Sequence, residues 1–184
     1  MQIPQAFAAG EPEEITIGPT AISALRIAPA TPATGPLPCL LLQHGYGADK
    51  FDLAPVAEVT AGLGFITILP DAWGHGTRFD PRGPNHSNTA SANYFVEVVQ
   101  HAVEDLERIA AALRDDPTVD ATRIFLGGFS LGGITAIIAT EHDAAVAGVI
   151  AIAGGASPAS LEASLGMAPV DAAHRAWVAA HDMG

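Results

Sequence analysis

Ser130 sits in the run Gly127-Gly128-Phe129-Ser130-Leu131-Gly132-Gly133, after the apolar stretch Ile124-Phe125-Leu126 and before a small-residue segment suited to a helix. That context places the serine at a strand-to-helix turn. At such an elbow the positions two residues either side, Gly128 and Gly132, face neighbouring backbone, where a side chain would collide. The turn pushes the hydroxyl out beyond the end of the sheet. A helix starting at Leu131 aims its free N–H groups and positive dipole end at the same point, where an oxyanion would develop. The chemistry predicted is acyl transfer with Ser130 as nucleophile. Gly-x-Ser-x-Gly also arises by chance in an alanine- and glycine-rich chain. The strand before and the helix after set this occurrence apart.

A second cluster, Gln43-His44-Gly45-Tyr46-Gly47, directly follows the apolar run Cys39 to Leu42. Together with Lys50 and Asp71 it imitates a dinucleotide-binding fingerprint, in which an acid about 20 positions on takes the ribose hydroxyls. Lys50 stands where that fingerprint needs its third glycine, and its side chain would obstruct helix-to-strand packing. The dinucleotide reading also leaves Ser130 without a role. Seven histidines occur, with neither HExxH nor paired-ligand spacing, so no metal site and no cofactor is expected.

These groups need a scaffold, and the remaining pattern supplies one. Glu14 to Ile17 and Ile22 to Ile27 alternate apolar and polar around Gly18-Pro19, the signature of an antiparallel hairpin. Cys39 to Leu42 is a continuous apolar run suited to a strand buried on both faces, Phe65 to Leu69 and Ile124 to Leu126 read as further buried strands, and Val146 to Ala153 reads as a fourth strand. Helical patterns lie between them. One is capped by Asp52, holds Pro55 in its first turn and stops at Gly62 or Gly64. One repeats Phe95, Val98, Val99, Ala102, Leu106, Ile109 and Leu113 on one face, and one starts at Leu131. Residues 72 to 90 read as a loop, and a last helix is expected around Asp171 to Ala180. Strands alternating with helices predict an α/β fold, a mostly parallel sheet with helices on both faces and an N-terminal antiparallel hairpin.

Length and composition agree with one domain spanning residues 1 to 184, at roughly 150 residues per domain. Hydrophobic residues make up 49% and charged residues 15%, which excludes a disordered chain. Twenty acidic against eight basic residues give a formal charge of -12, so phosphate backbones and anionic lipid would be repelled. Neither nucleic acid nor a membrane is expected as a partner. The longest low-polarity run, Ala144 to Ala156, falls well short of the roughly 20 residues of a membrane span. The N-terminus carries no basic residue before Arg26 and does not read as a secretory signal, and the single Cys39 fits a reducing compartment. A cytoplasmic location is expected.

The stretches Leu41 to Gly47, Leu69 to Arg78 and Arg123 to Gly133 together resemble the α/β-hydrolase superfamily, in particular its dienelactone-hydrolase-like and prolyl-oligopeptidase-like serine hydrolases. The resemblance covers about residues 13 to 160. It implies hydrolysis of a small-molecule carboxylic ester through an acyl-enzyme on Ser130, with a peptidase activity as the alternative. It also implies an oxyanion hole made by the N–H groups of Tyr46 and Leu131. His44 precedes the serine on the wrong loop for the order Ser, acid, His, so it reads as a structural histidine. Asp71, Gly74 and His75 fall on a loop that usually shapes the rim, with His75 bracing it or solvated.

The family's acid and base follow strands seven and eight, whereas no strand-like run follows Val146 to Ala153 here. No carboxylate occurs between that run and Glu162, and His174, His181 and Asp182 lie in a helix-like tail. The chain therefore reads as the first two-thirds of such a hydrolase, without the last two strands. A catalytically inactive fragment or a partner in a split protein is the competing reading. The uncharged strand at 148 to 153 would then present an open edge through which copies self-associate.

Overall fold

The computed structural model describes residues 8–82, 89–155 and 172–181. The hairpin forms as its alternation predicts: β1 (Glu13–Ile17) pairs antiparallel with β2 (Ile22–Ile27), in a register that sets Ile17 opposite Ile22. β2 then pairs antiparallel with β4 (Ile66–Pro70). From there the pairing is parallel: β3 (Leu37–Gln43) lies between β4 and β5 (Val119–Phe129), and β6 (Gly148–Ile152) pairs with the far side of β5. The order is β1-β2-β4-β3-β5-β6. β3 and β4 are buried almost throughout, as their unbroken apolar runs require.

Helices cover both faces. α1 (Ala54–Gly62) packs through Ala57 and Ala61 onto Leu25, Ile27, Leu40, Leu42 and Leu69. Asp52 does not cap it. The helix begins after Leu53, and the Asp52 carboxylate instead accepts the Asp49 N–H at 2.9 Å in the preceding turn. That turn is closed by i to i+3 bonds, which shift the helix start past Asp52. At the other end Gly64, at φ +90°, is the stop. The Phe65 N–H reaches back to the Thr60 carbonyl, a closure that needs a left-handed residue between them.

On the opposite face α2 (Thr89–Arg114) and α3 (Leu131–His142) pack on the sheet and on each other. The helical stripe expected for α2 is the face it buries, with Val98, Ala102, Leu106 and Ile109 almost fully enclosed. Val98, Leu106 and Ile109 each stabilise the fold by about 1.5–3 kcal/mol, and the smaller Ala102 by less. α4 (Ala172–His181) rests on the same layer through Trp177 and Val178.

A buried ion pair ties hairpin, loops and helix together. The Lys50 side chain is fully enclosed; its Nζ donates to the Ser23 hydroxyl at 2.8 Å and lies 3.4 Å from Asp71 and 3.1 Å from the exposed Glu14. The Asp71 carboxylate also accepts the Lys50 N–H, the Thr77 N–H and the Thr77 hydroxyl. These donors hold the acid below the usual carboxylate range even though its burial acts in the opposite direction. Arg78 extends the network, donating to the Asp71 carbonyl and pairing with Asp105 on α2.

Removing one member of a buried pair strands the other charge. Lys50→Ala should therefore destabilise the chain by roughly 3–5 kcal/mol, while a Lys50→Met, Asp71→Leu double variant recovers much of the loss. Urea unfolding of the three proteins, compared by midpoint at a shared slope, measures both effects.

β6 is the last strand of the sheet among the described residues, and Val149, Ile150 and Ile152 are 42–49% exposed. Edge pairing is short-ranged, whereas the repulsion between acidic copies is screened within about 8 Å at physiological salt. The isolated 184-residue chain is expected to sediment as a self-associating species whose size grows with salt and falls in Ile150→Lys. A single monomeric boundary at high protein and high salt would refute this.

Candidate active site

Ser130 joins β5 to α3 with φ +51° and ψ −111°, a left-handed conformation that costs a non-glycine residue of order 1–3 kcal/mol. Two bonds hold it there. The Ser130 N–H donates to the Ile152 carbonyl of β6 at 2.8 Å, and its own carbonyl accepts the Ile134 N–H at 3.1 Å. The flanking glycines are required by contact. A Cβ on Gly132 would lie 2.0 Å from the Gln43 carbonyl oxygen, and one on Gly128 would lie 2.3 Å from the Gly132 carbonyl carbon. Backbone therefore meets backbone at the ends of β3 and β5. Leu131 is the first residue of α3, so its N–H has no acceptor within the helix.

The loop after β3 lies against this elbow. A Cβ built on Gly45 would sit 3.8 Å from the Ser130 Cβ and 3.3 Å from the Phe129 ring. Tyr46 follows at the rim, half-buried, with its ring edge-on to His75 at 5.1 Å and to Phe95 at 5.3 Å. Burial pushes its phenol up.

His44 is 1% exposed, and both its nitrogens are used by backbone. Its Nδ1–H donates to the Gly45 carbonyl at 2.8 Å, and its Nε2 accepts the Ala72 N–H at 3.0 Å. The ring thus clasps the loop after β3 to the loop after β4. Burial lowers its basicity, in keeping with an acceptor nitrogen that must stay unprotonated.

The loop after β4 is tightly built. Gly74 at φ +79° and Gly76 at φ +52° bracket His75; a Cβ on Gly76 would overlap the Asp71 carboxylate, and one on Gly74 the Tyr94 hydroxyl. A 3-10 turn at Gly76–Arg78 completes it. Arg82 lies over the rings of Trp73 and Tyr94, at 5.4 and 5.6 Å. His75 is enclosed, not solvated, with 3% exposure. Asp71 lies in the network beneath the loop, where Lys50 and Thr77 occupy its oxygens. In the sequence Lys50 stands only as an obstruction to a nucleotide, and its pairing with Asp71 appears once the two loops are folded together.

Among the described residues, no side chain hydrogen-bonds the Ser130 hydroxyl. His142 ends α3, roughly 18 Å from its start at 1.5 Å per residue, and pairs there with Glu107. The His181 ring lies 5.2 Å from that of His142 and donates to the Trp177 carbonyl, so it belongs to the far end of the helix as well. Glu162, Asp182 and the His174 side chain lie outside the described residues. Cys39 is fully buried with its thiol pushed up to about 12, which makes it inert at neutral pH. No group of His, Cys, Asp or Glu among the described residues is arranged to hold a metal ion, and no described helix is long and apolar enough to cross a membrane.

This sheet order, with a strained serine between β5 and a glycine-led helix, defines an α/β-hydrolase fold. The chain belongs to the alpha/beta hydrolase family, whose model matches residues 39–184. Among its relatives is the esterase YjfP of Escherichia coli, 28% identical over 108 residues, which cover 58% of this chain and 41% of that protein. Another is the putative esterase YitV of Bacillus subtilis, 31% identical over 114 residues, covering 61% and 43%. The matched region spans about two-fifths of the length of these curated relatives. Of solved structures, TT1662 from Thermus thermophilus superposes with a TM-score of 0.75 at 23% identity, over 94% of this chain and 68% of that one. A dienelactone hydrolase-like promiscuous phosphotriesterase from metagenomic libraries superposes with a TM-score of 0.63 at 18% identity, over 93% and 65%.

The two buried histidines make stability depend on pH. Burial lowers both His44 and His75 below 6.5, so the unfolded chain binds more protons than the folded one as pH drops past that value. Their contribution is complete above about pH 6.5 and is lost as pH falls towards the lowered folded values, by at most about 1.4 kcal/mol per unit for each ring. Urea midpoints at pH 7.5, 6.5 and 5.5 should fall in that order, and less steeply in His44→Gln.

Proposed function

We propose that this chain carries the nucleophilic half of a serine esterase active site and cleaves small carboxylic esters through an acyl-enzyme on Ser130. The observation that carries the reading is the strained Ser130 backbone held beside Gly45 by glycine-only contacts. A serine retained at φ +51° is stability given up to fix where its hydroxyl sits. Membership of the family and the esterase names of its relatives support ester hydrolysis over other acyl transfers.

In this mechanism the Ser130 oxygen attacks the ester carbonyl and gives up its proton to a base. The carbonyl oxygen becomes an oxyanion that accepts hydrogen bonds from the Tyr46 and Leu131 N–H groups, donors fixed before the substrate arrives. Collapse of the tetrahedral species expels the alcohol, which takes a proton. Water then attacks the acyl-enzyme and releases the carboxylate. The base and its acid are not among the described groups that touch Ser130, so the isolated chain is expected to acylate slowly. Enzymes stripped of triad members keep roughly 10³- to 10⁴-fold acceleration over water from the oxyanion hole and binding.

Incubation with p-nitrophenyl acetate should release nitrophenol slowly, in a phase that Ser130→Ala abolishes, and intact-mass analysis should find one acetyl group on Ser130. Release unchanged in Ser130→Ala would overturn the assignment. Turnover at ordinary esterase rates would show that this chain supplies its own base.

A further inference from the structure

We infer that His75 is the positioning residue for the oxyanion loop: its imidazole, wedged against Tyr46 and His44, holds the Tyr46 N–H in place. The inference rests on the proposed role of that N–H. Among the described residues two rings meet that of Tyr46, Phe95 on α2 and His75, with centroids 5.3 and 5.1 Å away. The second is carried on a turn pinned at several points. His75 stands between two left-handed glycines, its own N–H donates to the Ala72 carbonyl at 3.0 Å, and its Nδ1–H donates to the Trp73 carbonyl at 3.0 Å. The turn beneath it is pressed on the Asp71 carboxylate, which is itself fixed by Lys50 and Thr77. Rigidity built around the ion pair is thus delivered to Tyr46 through one ring.

The opposite face of that contact system is His44, whose ring lies 5.4 Å from His75 and whose hydrogen bonds fix Gly45. The Gly45 carbonyl shares a planar peptide with the Tyr46 N–H and also accepts the Ala48 N–H at 3.2 Å, so hydrogen bonds orient that plane while ring contact with His75 holds the side chain that follows it. Among the described residues the buried His75 Nε2 has no hydrogen-bond partner. The imidazole there acts through its Nδ1 bond and its ring surface, and burial disfavours its protonated form.

Because the oxyanion forms only in the transition state, a displaced donor should lower the acylation rate constant and leave ester binding alone. Single-turnover acetylation over a range of p-nitrophenyl acetate concentrations separates the two. His75→Ala should acylate about tenfold more slowly with apparent ester affinity within about twofold, a milder loss than deletion of a donor outright. His75→Phe, which keeps a ring against Tyr46, should recover at least about threefold of that loss. Wild-type acylation in His75→Ala, a loss confined to affinity, or equal impairment in both variants overturns the inference. Failure of the underlying function is read separately, on Ser130→Ala. The backbone order parameter of the Tyr46 N–H supplies a second readout if His75→Ala acylates too slowly to follow or folds poorly. It should drop from the rigid range of about 0.85 to below about 0.6 in the better-folded variant while that of Leu41 in β3 is unchanged, and an unaltered value at Tyr46 likewise overturns it.

Discussion

Everything at this site depends on how closely the end of β3 approaches the turn that leaves β5. The Gln43 carbonyl lies where a Cβ on Gly132 would be, and Gly128 faces the same pair of backbones. With no side chain between them, two chain segments lie at main-chain distance. The serine between the glycines is forced over to φ +51° and the loop beyond Gln43 comes down beside it. The strain is sustained because the Ser130 N–H donates to β6, its carbonyl accepts from α3, and the end of β3 behind the elbow is buried. A single methyl group at either glycine would push the Ser130 elbow away from the loop after β3.

Proximity alone leaves a loop free to move, and the second layer of the design deals with that. The charges that matter lie beneath the surface: Lys50 and Asp71 join the loop after β3 to the loop after β4, with Glu14 and Ser23 of the hairpin at their side. An ion pair of this kind is a poor source of net stability, since desolvation offsets most of its Coulomb energy. Its value is geometric. Each carboxylate oxygen of Asp71 has directed donors, so the turn around His75 has one arrangement, and His44 carries the same constraint to Gly45.

The proposed nucleophile and backbone donors stem from β5, the start of α3 and the loop after β3, all within the region that matches the family. Proton transfer requires a side chain at hydrogen-bond distance from the serine. The histidines at the far end of α3 cannot provide that, because a rigid helix separates them from the elbow.

Local pattern was enough to reveal the strands, the amphipathic α2, the elbow and the glycines around Ser130, because each depends on residues a few positions apart. Period-two and period-3.6 alternation, and the steric demand of a strand-to-helix turn, are written along the chain itself. The start of α1 was misread for the same reason in reverse: Asp52 has the chemistry of a cap, but hydrogen bonds in the preceding turn claimed its carboxylate. Lys50 and Asp71 are 21 residues apart, and Lys50 and Ser23 are 27. No periodicity links such positions, and a lysine in a loop looks solvated until folding encloses it. The conversion of His75 from a rim residue into an enclosed wedge was likewise decided in three dimensions, by Gly76 closing on Asp71 and Tyr46 arriving from another loop. Sequence determined which groups could react; tertiary structure decided which were held, because burial and contact between distant segments exist only once the sheet has formed.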